Sequence, residues 1–136
     1  MQRYYIDACI WRDYFENRSD NLRPLGEWAF RLIKKVVEEG GLFIISDILI
    51  VELQKFYSDE QIASMFGIVP PELRLNVSTT EKQTKDALKM KNQLKIPSGD
   101  AFHAVLARDN NALMISRDAH FYGVIRIIVK KPEELI

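Results

Sequence analysis

Four acidic residues spread along the chain have the type and the spacing to hold a cation: Asp7, Glu52, Asp100 and Asp118. Asp7 ends a β-prone run, and Asp118 lies two residues beyond the apolar run 112–116. Several oxygen ligands at one edge are what Mg²⁺ or Mn²⁺ requires, whereas acids clustered without a cation would repel one another. With 19 acidic residues in the chain, either strand-end acid alone is also explained by chance. The four together predict a metal site if the fold makes them converge.

Glu52 is the most informative of the four because apolar residues surround it on its predicted helix. At about 100° per residue, Ile48 lies one turn before it and Phe56 one turn after it. Burying an unpaired carboxylate is costly or shifts its pKa until it is neutral. Glu52 therefore needs a partner, and both a metal ion and a buried salt bridge to lysine or arginine satisfy that need.

Asp100 lies in the stretch "IPSGDAFHAVLA", where a proline and a glycine precede an apolar segment. An acid in the first turn of a helix interacts favourably with the helix dipole, and Ser98 is predicted to cap that helix. This local explanation suffices for stability. The segment behind Asp100 is apolar on nearly every side except at His103, which indicates a centrally packed helix that carries Asp100 at its entrance.

The pattern of apolar runs predicts strands that alternate with helices. Such alternation is typical of βαβ units and of a mostly parallel sheet, whose ligands bind beyond the carboxyl ends of the strands. Ser58 with Gln61, and Thr79 or Thr80, are predicted helix starts. The expected strands are residues 3–7, 42–46, 73–78, 112–116 and 124–129, and the expected helices include 10–16, 21–39 (stopped by Gly40-Gly41), 47–57, one from 58, about 80–94, and one from 98.

Composition is that of an ordinary globular protein, with 47% hydrophobic and 28% charged residues. We expect one domain over residues 1–136. The net charge of zero gives no general attraction to nucleic acid, so any such binding must come from local clusters. Cys9 is the only cysteine, which excludes an internal disulfide and a cysteine-based zinc cluster. No apolar run is long enough for a membrane span and no signal peptide is seen, so a cytoplasmic location is expected.

Four segments, in order and spacing, resemble the PIN-domain ribonucleases and most of all the VapC-type toxins of toxin–antitoxin modules: "YYIDACIW", "ISDILIVEL", "IPSGDAFHAVLA" and "LMISRDAHF". The resemblance implies an α/β fold of three layers, with a mostly parallel central sheet of four to five strands flanked by helices. It makes Asp7, Glu52 and Asp100 the core metal ligands and catalytic acids. Asp118 becomes the fourth such acid, bound more weakly or through water.

The activity implied by this resemblance is endoribonucleolytic hydrolysis of RNA phosphodiester bonds by water activated at Mg²⁺ or Mn²⁺. It also implies a homodimer and a small antitoxin that covers the site. Two positions need comment. Ser116 replaces the threonine that the family commonly has before its last acid, and a hydroxyl is kept. His103 stands where the family often has histidine that is not a metal ligand, so it is interpreted as structural or as a contact to substrate.

Three sets of residues are candidates for contacts to RNA. Arg117 and Ser116 are predicted to bind the substrate because they flank Asp118. The lysines within residues 82–95 recur at helical spacing and serve either as an RNA surface or as an ordinary solvated helix face. The aromatic residues within 11–15 could stack on bases or pack against a partner.

Two other functions remain open. A PIN-like fold could serve as an interaction module without catalysis. A phospho-receiver domain would use Asp47, which follows an apolar strand, together with the Lys130-Lys131-Pro132 run. Against a receiver, one long helix and no strand is predicted between residues 7 and 42, and Asp7 lacks the adjacent acid that receivers have.

Overall fold

Five short strands form one sheet in the computed structural model, which describes residues 1–124 and 126–136. Each strand pairs with its neighbours in parallel, and the order across the sheet is β3-β2-β1-β4-β5. The carboxyl ends of all five therefore lie at the same edge. The strands are β1 (Arg3–Ile6), β2 (Leu42–Ser46), β3 (Arg74–Val77), β4 (Ala112–Ile115) and β5 (Val129–Lys130).

Helices fill the connections between the strands. The described residues contain α1 (Ala8–Glu16), α2 (Leu25–Glu38), α3 (Asp47–Gln54), α4 (Asp59–Phe66), α5 (Glu81–Leu94) and α6 (Ser98–Asp109). Three short 3₁₀ segments occur at Pro71–Leu73, Ala119–Gly123 and Pro132–Glu134. Within these described ranges, no helix has both the length and the apolar character that crossing a membrane requires.

Alternation along the strands creates two separate cores, because successive side chains point to opposite faces of a sheet. Ile6, Phe43 and Ile115 belong to the core formed with α1 to α4, whereas their neighbours Tyr5 and Ile44 belong to the core formed with α6. Helix α5 packs on α6. The predicted three-layer α/β architecture with a parallel sheet of up to five strands is confirmed.

Local signals placed several helix ends correctly. Capping boxes are present at Ser58 with Gln61 and at Thr80 with Gln83, and α5 ends at Leu94 as expected. Helix α2 begins later than predicted, at Leu25 instead of residue 21. Pro24 disfavours helical backbone in the residue before it, and Leu22 is fully exposed with a left-handed φ of 67°.

Two other local predictions are wrong. Ser98 does not cap α6: the cap position is Pro97, which makes no side-chain cap bond, and Ser98 is the first helical residue. The strand predicted over 124–129 is confined to Val129–Lys130. Arg126 has a left-handed φ of 74°, which a strand does not allow. Position 125, within the predicted strand, lies outside the described residues.

The receiver alternative is also wrong. Receivers have the strand order 2-1-3-4-5, whereas β1 here lies between β2 and β4. The carboxylate of Asp47 accepts hydrogen bonds from Ile48 N at 2.9 Å, Thr79 N at 3.0 Å and Thr79 Oγ1 at 2.6 Å. Asp47 thus ties the start of α3 to the loop between β3 and α5, with its oxygens already engaged.

Candidate metal centre

The fold carries all four predicted acids to the carboxyl edge of the sheet. Asp7 directly follows β1 and caps α1, Glu52 lies on α3 after β2, Asp100 is in the first turn of α6, and Asp118 follows β4. Their side chains form two groups, each completed by a histidine. We call Asp7, Glu52 and His103 the inner cluster, and Asp100, Asp118 and His120 the outer cluster.

Asp7 is buried and held on both of its carboxylate oxygens. Oδ1 accepts a hydrogen bond from Ala8 N at 2.8 Å, and Oδ2 accepts one from Ser116 Oγ at 2.7 Å. Ser116 Oγ in turn accepts from Asp118 N at 2.9 Å. The hydroxyl at position 116 therefore connects an acid of the inner cluster to the loop of the outer cluster. It acts by positioning Asp7, and its contacts do not support the predicted substrate-binding role.

Glu52 faces a histidine, whereas the alternative to a metal ion was a buried salt bridge to lysine or arginine. Its Oε2 lies 2.9 Å from His103 Nε2, although the two groups are not aligned as a hydrogen bond. Burial acts to raise the pKa of Glu52, but the contact with His103 and the charge of Lys55 hold that pKa below its usual value. The lowered pKa favours the ionised carboxylate, which is the form that binds a cation.

Gly99 brings the start of α6 close to Glu52. A Cβ atom at this position would lie only 2.7 Å from Glu52 Oε1. Contacts this short are essentially never made by real Cβ atoms, so the absence of a side chain lets the carboxylate occupy its place. The close approach of Glu52 thus explains why position 99 is a glycine, and the sequence pattern of the helix start did not reveal this contact.

His103 is fully buried, and its Nδ1 side is held by contacts with Tyr5 and, through Tyr5, with Ser46. Its Nδ1 lies 2.5 Å from Tyr5 Oη, and Tyr5 Oη lies 2.6 Å from Ser46 Oγ. Burial raises the pKa of Tyr5, so its hydroxyl stays neutral. Burial works to lower the pKa of His103, but Glu52 and the nearby acids raise it overall. The structure supports the structural interpretation of His103, since both ring nitrogens face groups of the protein.

The outer cluster is more open to solvent. His120 Nδ1 lies 2.7 Å from Asp100 Oδ2 and 3.0 Å from Asp118 Oδ1. Burial raises the pKa of Asp100, with the charges of Asp118 and Asp7 acting in the same direction against the contact with His120. The hydrogen bond to Asp100 in turn raises the pKa of His120. The charge of Asp7, in the inner cluster, therefore affects the protonation of Asp100 in the outer cluster, and the two clusters are electrostatically coupled.

His120 was not predicted from the sequence as a site residue. Its one signal is its position two residues after Asp118 in the motif "LMISRDAHF". A histidine at that spacing is brought back to the acid because Asp118 Oδ1 accepts a hydrogen bond from His120 N at 2.9 Å.

Both clusters bring two carboxylates close enough to share a divalent cation. In each, one ligand atom from every member lies within 4.8 Å of the others. Carboxylate oxygens suit Mg²⁺ and Mn²⁺, and imidazole nitrogen adds affinity for transition metals. All four carboxylates have a close histidine contact or a serine hydrogen bond that would orient them as ligands. The metal roles of Asp7, Glu52, Asp100 and Asp118 remain predictions that this geometry supports.

The predicted substrate contact at Arg117 finds no support. Its guanidinium makes two hydrogen bonds of 2.8 Å to Glu133, and its Nε lies 3.7 Å from Asp13 Oδ2. These pairs tie the loop after β4 to α1 and to the C-terminal 3₁₀ segment, so Arg117 acts within the fold. Trp11 is fully buried and packs in the core, which leaves no face for a base, whereas the lysines at 82, 85 and 89 are exposed.

Comparisons with known proteins agree with this architecture. A chain of the VapBC2 structure from Rickettsia felis bound to a promoter DNA fragment is 19% identical, with a TM-score of 0.69 and coverage of 96% of this chain and 98% of that one. A chain of VapBC-1 from nontypeable Haemophilus influenzae is 19% identical, with a TM-score of 0.68 and coverage of 97% and 99%. A chain of a toxin–antitoxin complex from Klebsiella pneumoniae is 16% identical, with a TM-score of 0.64 and coverage of 95% of this chain and 97% of that one. At such identities the likeness establishes the fold.

The family is shown by the sequence itself. Comparison with curated proteins finds no significant match. The family model of the PIN domain, in contrast, matches residues 4–126, a span that begins in β1 and includes all four acids. The fold, the acidic edge of the sheet and this match lead to one conclusion: the chain belongs to the PIN domain family.

Proposed function

We propose that this protein is a divalent-metal-dependent endoribonuclease and the toxin of a toxin–antitoxin pair. The observation that carries the proposal is the gathering of Asp7, Glu52, Asp100 and Asp118, from four separate elements, at one edge of a parallel sheet. Acids placed so closely repel one another unless a cation or a proton neutralises them, and Asp100 feels this repulsion from Asp118 and Asp7. Mg²⁺ or Mn²⁺ is the cation that such a ligand set suits.

Asp7 and Glu52 form the rigid side of the proposed site. Ala8 N and Ser116 Oγ fix the two oxygens of Asp7, and His103 holds Glu52 from the buried side. Preorganised ligands of this kind need no rearrangement before the reaction. A divalent cation held there by Asp7 and Glu52 would lower the pKa of bound water to give a nucleophile near neutral pH and would offset charge on the phosphate.

Asp100 and Asp118 form the side that faces solvent and therefore the incoming RNA. Their carboxylates are partly exposed, and His120 beside them is half-exposed. We assign these acids to holding the cation on the side from which the scissile phosphate would approach. His103 is not available as a general base, because it is buried and its ring nitrogens face Tyr5 Oη and Glu52.

The proposed partners follow from the resemblance and from the solved relatives. Those relatives are described as VapBC and toxin–antitoxin complexes. We therefore propose a small antitoxin that covers the acidic edge, and a homodimer of this chain. A short open reading frame directly upstream of the gene would add support for the antitoxin.

Cleavage of RNA by the purified protein tests the proposal. We expect cleavage with Mn²⁺ or Mg²⁺, none with EDTA, and none by Asp100→Asn. Equal cleavage by Asp100→Asn would refute the site. Absence of cleavage over a broad panel of RNAs, by protein that binds Mn²⁺, would instead favour a non-catalytic PIN-like interaction module.

A further inference from the structure

We propose that His120 is a nitrogen ligand of the divalent cation, bound through Nδ1 together with Asp100 and Asp118. The inference rests on the proposed metal-dependent function and adds to it a ligand of a different chemical kind. It also predicts which cation this site prefers. The argument uses the spacing of the three side chains, the way the backbone aims His120, and the contrast with His103.

The spacing of the outer cluster is that of neighbouring ligands around one ion. Adjacent ligands of an octahedral ion with bonds of about 2.1 Å lie roughly 3.0 Å apart. His120 Nδ1 lies 2.7 Å from Asp100 Oδ2 and 3.0 Å from Asp118 Oδ1. A cation can therefore enter with small movements of the three side chains, the imidazole exchanging its contact with the acids for a bond to the ion.

The backbone conformation of the turn after Asp118 places the His120 side chain next to Asp100 and Asp118. Asp118 caps the 3₁₀ segment Ala119–Gly123 and accepts a hydrogen bond from His120 N at 2.9 Å. Phe121, the next residue, is fully buried and anchors the turn against the core. With its backbone held on both sides, the imidazole lies over the acids while 49% of its side chain remains open to solvent and to an arriving ion.

The two histidines differ in what their nitrogens can still bind. His103 is fully buried, with Nδ1 next to Tyr5 Oη and Nε2 next to Glu52. Coordination by His103 would require the loss of its contact with Glu52. The described contacts of the His120 ring involve Nδ1 only, and both partners are acids that a cation would bind as well. We therefore assign His103 to positioning Glu52, and His120 to the ion.

A nitrogen ligand has a consequence for the choice of ion. Imidazole suits transition metals, whereas Mg²⁺ prefers oxygen ligands and water. We therefore expect this site to prefer Mn²⁺ over Mg²⁺ more strongly than a site built from four carboxylates. Loss of groups that merely orient ligands already lowers metal affinity about 10–100-fold, so loss of His120 should raise the Kd for Mn²⁺ at least about tenfold and the Kd for Mg²⁺ less.

The decisive experiment is pulsed electron paramagnetic resonance on the Mn²⁺-loaded full chain, free of any histidine tag. The chain contains only two histidines, so a hyperfine coupling from imidazole ¹⁴N can have only two sources. We expect the coupling in the wild-type protein and its loss in His120→Ala. His120→Asn, which places an amide oxygen near the Nδ1 position, should bind Mn²⁺ more tightly than His120→Ala but show no imidazole coupling.

His103→Gln is the matched control and should keep the coupling. Where this buried variant fails to fold, the wild type and His120→Ala still decide the matter, because His120 is at the surface. Coupling that persists in His120→Ala, or Mn²⁺-bound wild-type protein without any coupling, would overturn the inference. EDTA-sensitive RNA cleavage without coupling would leave the proposed function standing, and coupling without any cleavage would leave only the ligand assignment.

Discussion

The inner and outer clusters contain the same kinds of groups, two carboxylates and one imidazole, yet the protein holds them in different ways. The inner cluster is fixed by residues far apart in the chain: Tyr5 contacts His103, and Asp7 accepts from Ser116. The outer cluster is fixed largely by the turn that follows Asp118. Long-range contacts therefore make the inner cluster the rigid and buried part of the site. The local turn leaves the outer cluster accessible to solvent. The proposed cleavage of RNA would need both, because the ligands of the cation must be preorganised and the phosphate must reach them.

The strongest test of this comparison is Asp7→Asn, which removes a charge from the inner cluster. Asparagine still caps a helix well, so α1 should remain intact, while loss of the acceptor for Ser116 Oγ should lower the free energy of unfolding by about 1–3 kcal/mol. We expect RNA cleavage to fall at least about a hundredfold, because an amide is a weak ligand for a hard cation. Cleavage assays and urea denaturation measure the two quantities, and an active Asp7→Asn protein would place the reaction elsewhere.

The rigidity of the inner cluster can be tested by Tyr5→Phe. The variant removes the hydroxyl between Ser46 Oγ and His103 Nδ1 and leaves both buried groups without that partner. Such a loss costs about 1–3 kcal/mol in the free energy of unfolding. His120→Ala, measured by the same urea denaturation, should leave stability unchanged. Equal effects of the two variants would contradict the proposed difference between the clusters.

Gly99→Ala sharpens the role of Glu52. The added Cβ would lie 2.7 Å from Glu52 Oε1, so the flexible end of that side chain must move while the helix backbone stays. We expect stability close to that of wild type and a Kd for Mn²⁺ raised about tenfold, the size of effect seen when a ligand is misoriented. Gly123→Ala is the control, because its Cβ would meet nothing within 4 Å. Unchanged Mn²⁺ binding in Gly99→Ala would remove Glu52 from the ligand set.

The smallest effect concerns pH. The pKa of Glu52 is lowered in the fold, so its contribution to stability is present above its unfolded pKa and is lost as pH falls through the folded value. The pKa of His103 is raised, so its contribution is present below its unfolded pKa and is lost as pH rises through the folded value. The stability advantage of metal-free wild type over Glu52→Gln should therefore peak at mildly acidic pH and shrink on both sides. A constant difference in urea denaturation between pH 4 and pH 9 would show that the pair contributes no ionic stabilisation.

Much of the fold could be predicted because its signals are local. Capping boxes at Ser58 and Thr80 depend on residues three positions apart, and the apolar runs of β1, β2 and β4 are short and continuous. The convergence of the acids could be predicted as well, since parallel strands end at one edge. The failures at Leu22, at Ser98 and in the segment before β5 occurred where a proline or an unusual backbone angle overrode an apolar pattern or, at Ser98, a capping signal.

By itself, the sequence determined the α/β layers, the family and the four acids that lie at the carboxyl edge, because hydrophobic periodicity and the order of strands and helices along the chain are properties of the sequence. Only the tertiary structure decided what each acid faces. It paired Glu52 with His103 across the α3–α6 contact, supported His103 through Tyr5, turned Arg117 toward Glu133 and brought His120 back over Asp100 and Asp118. These contacts join residues up to 98 positions apart, and side-chain partners at such separations are set by packing in three dimensions and not by any local pattern.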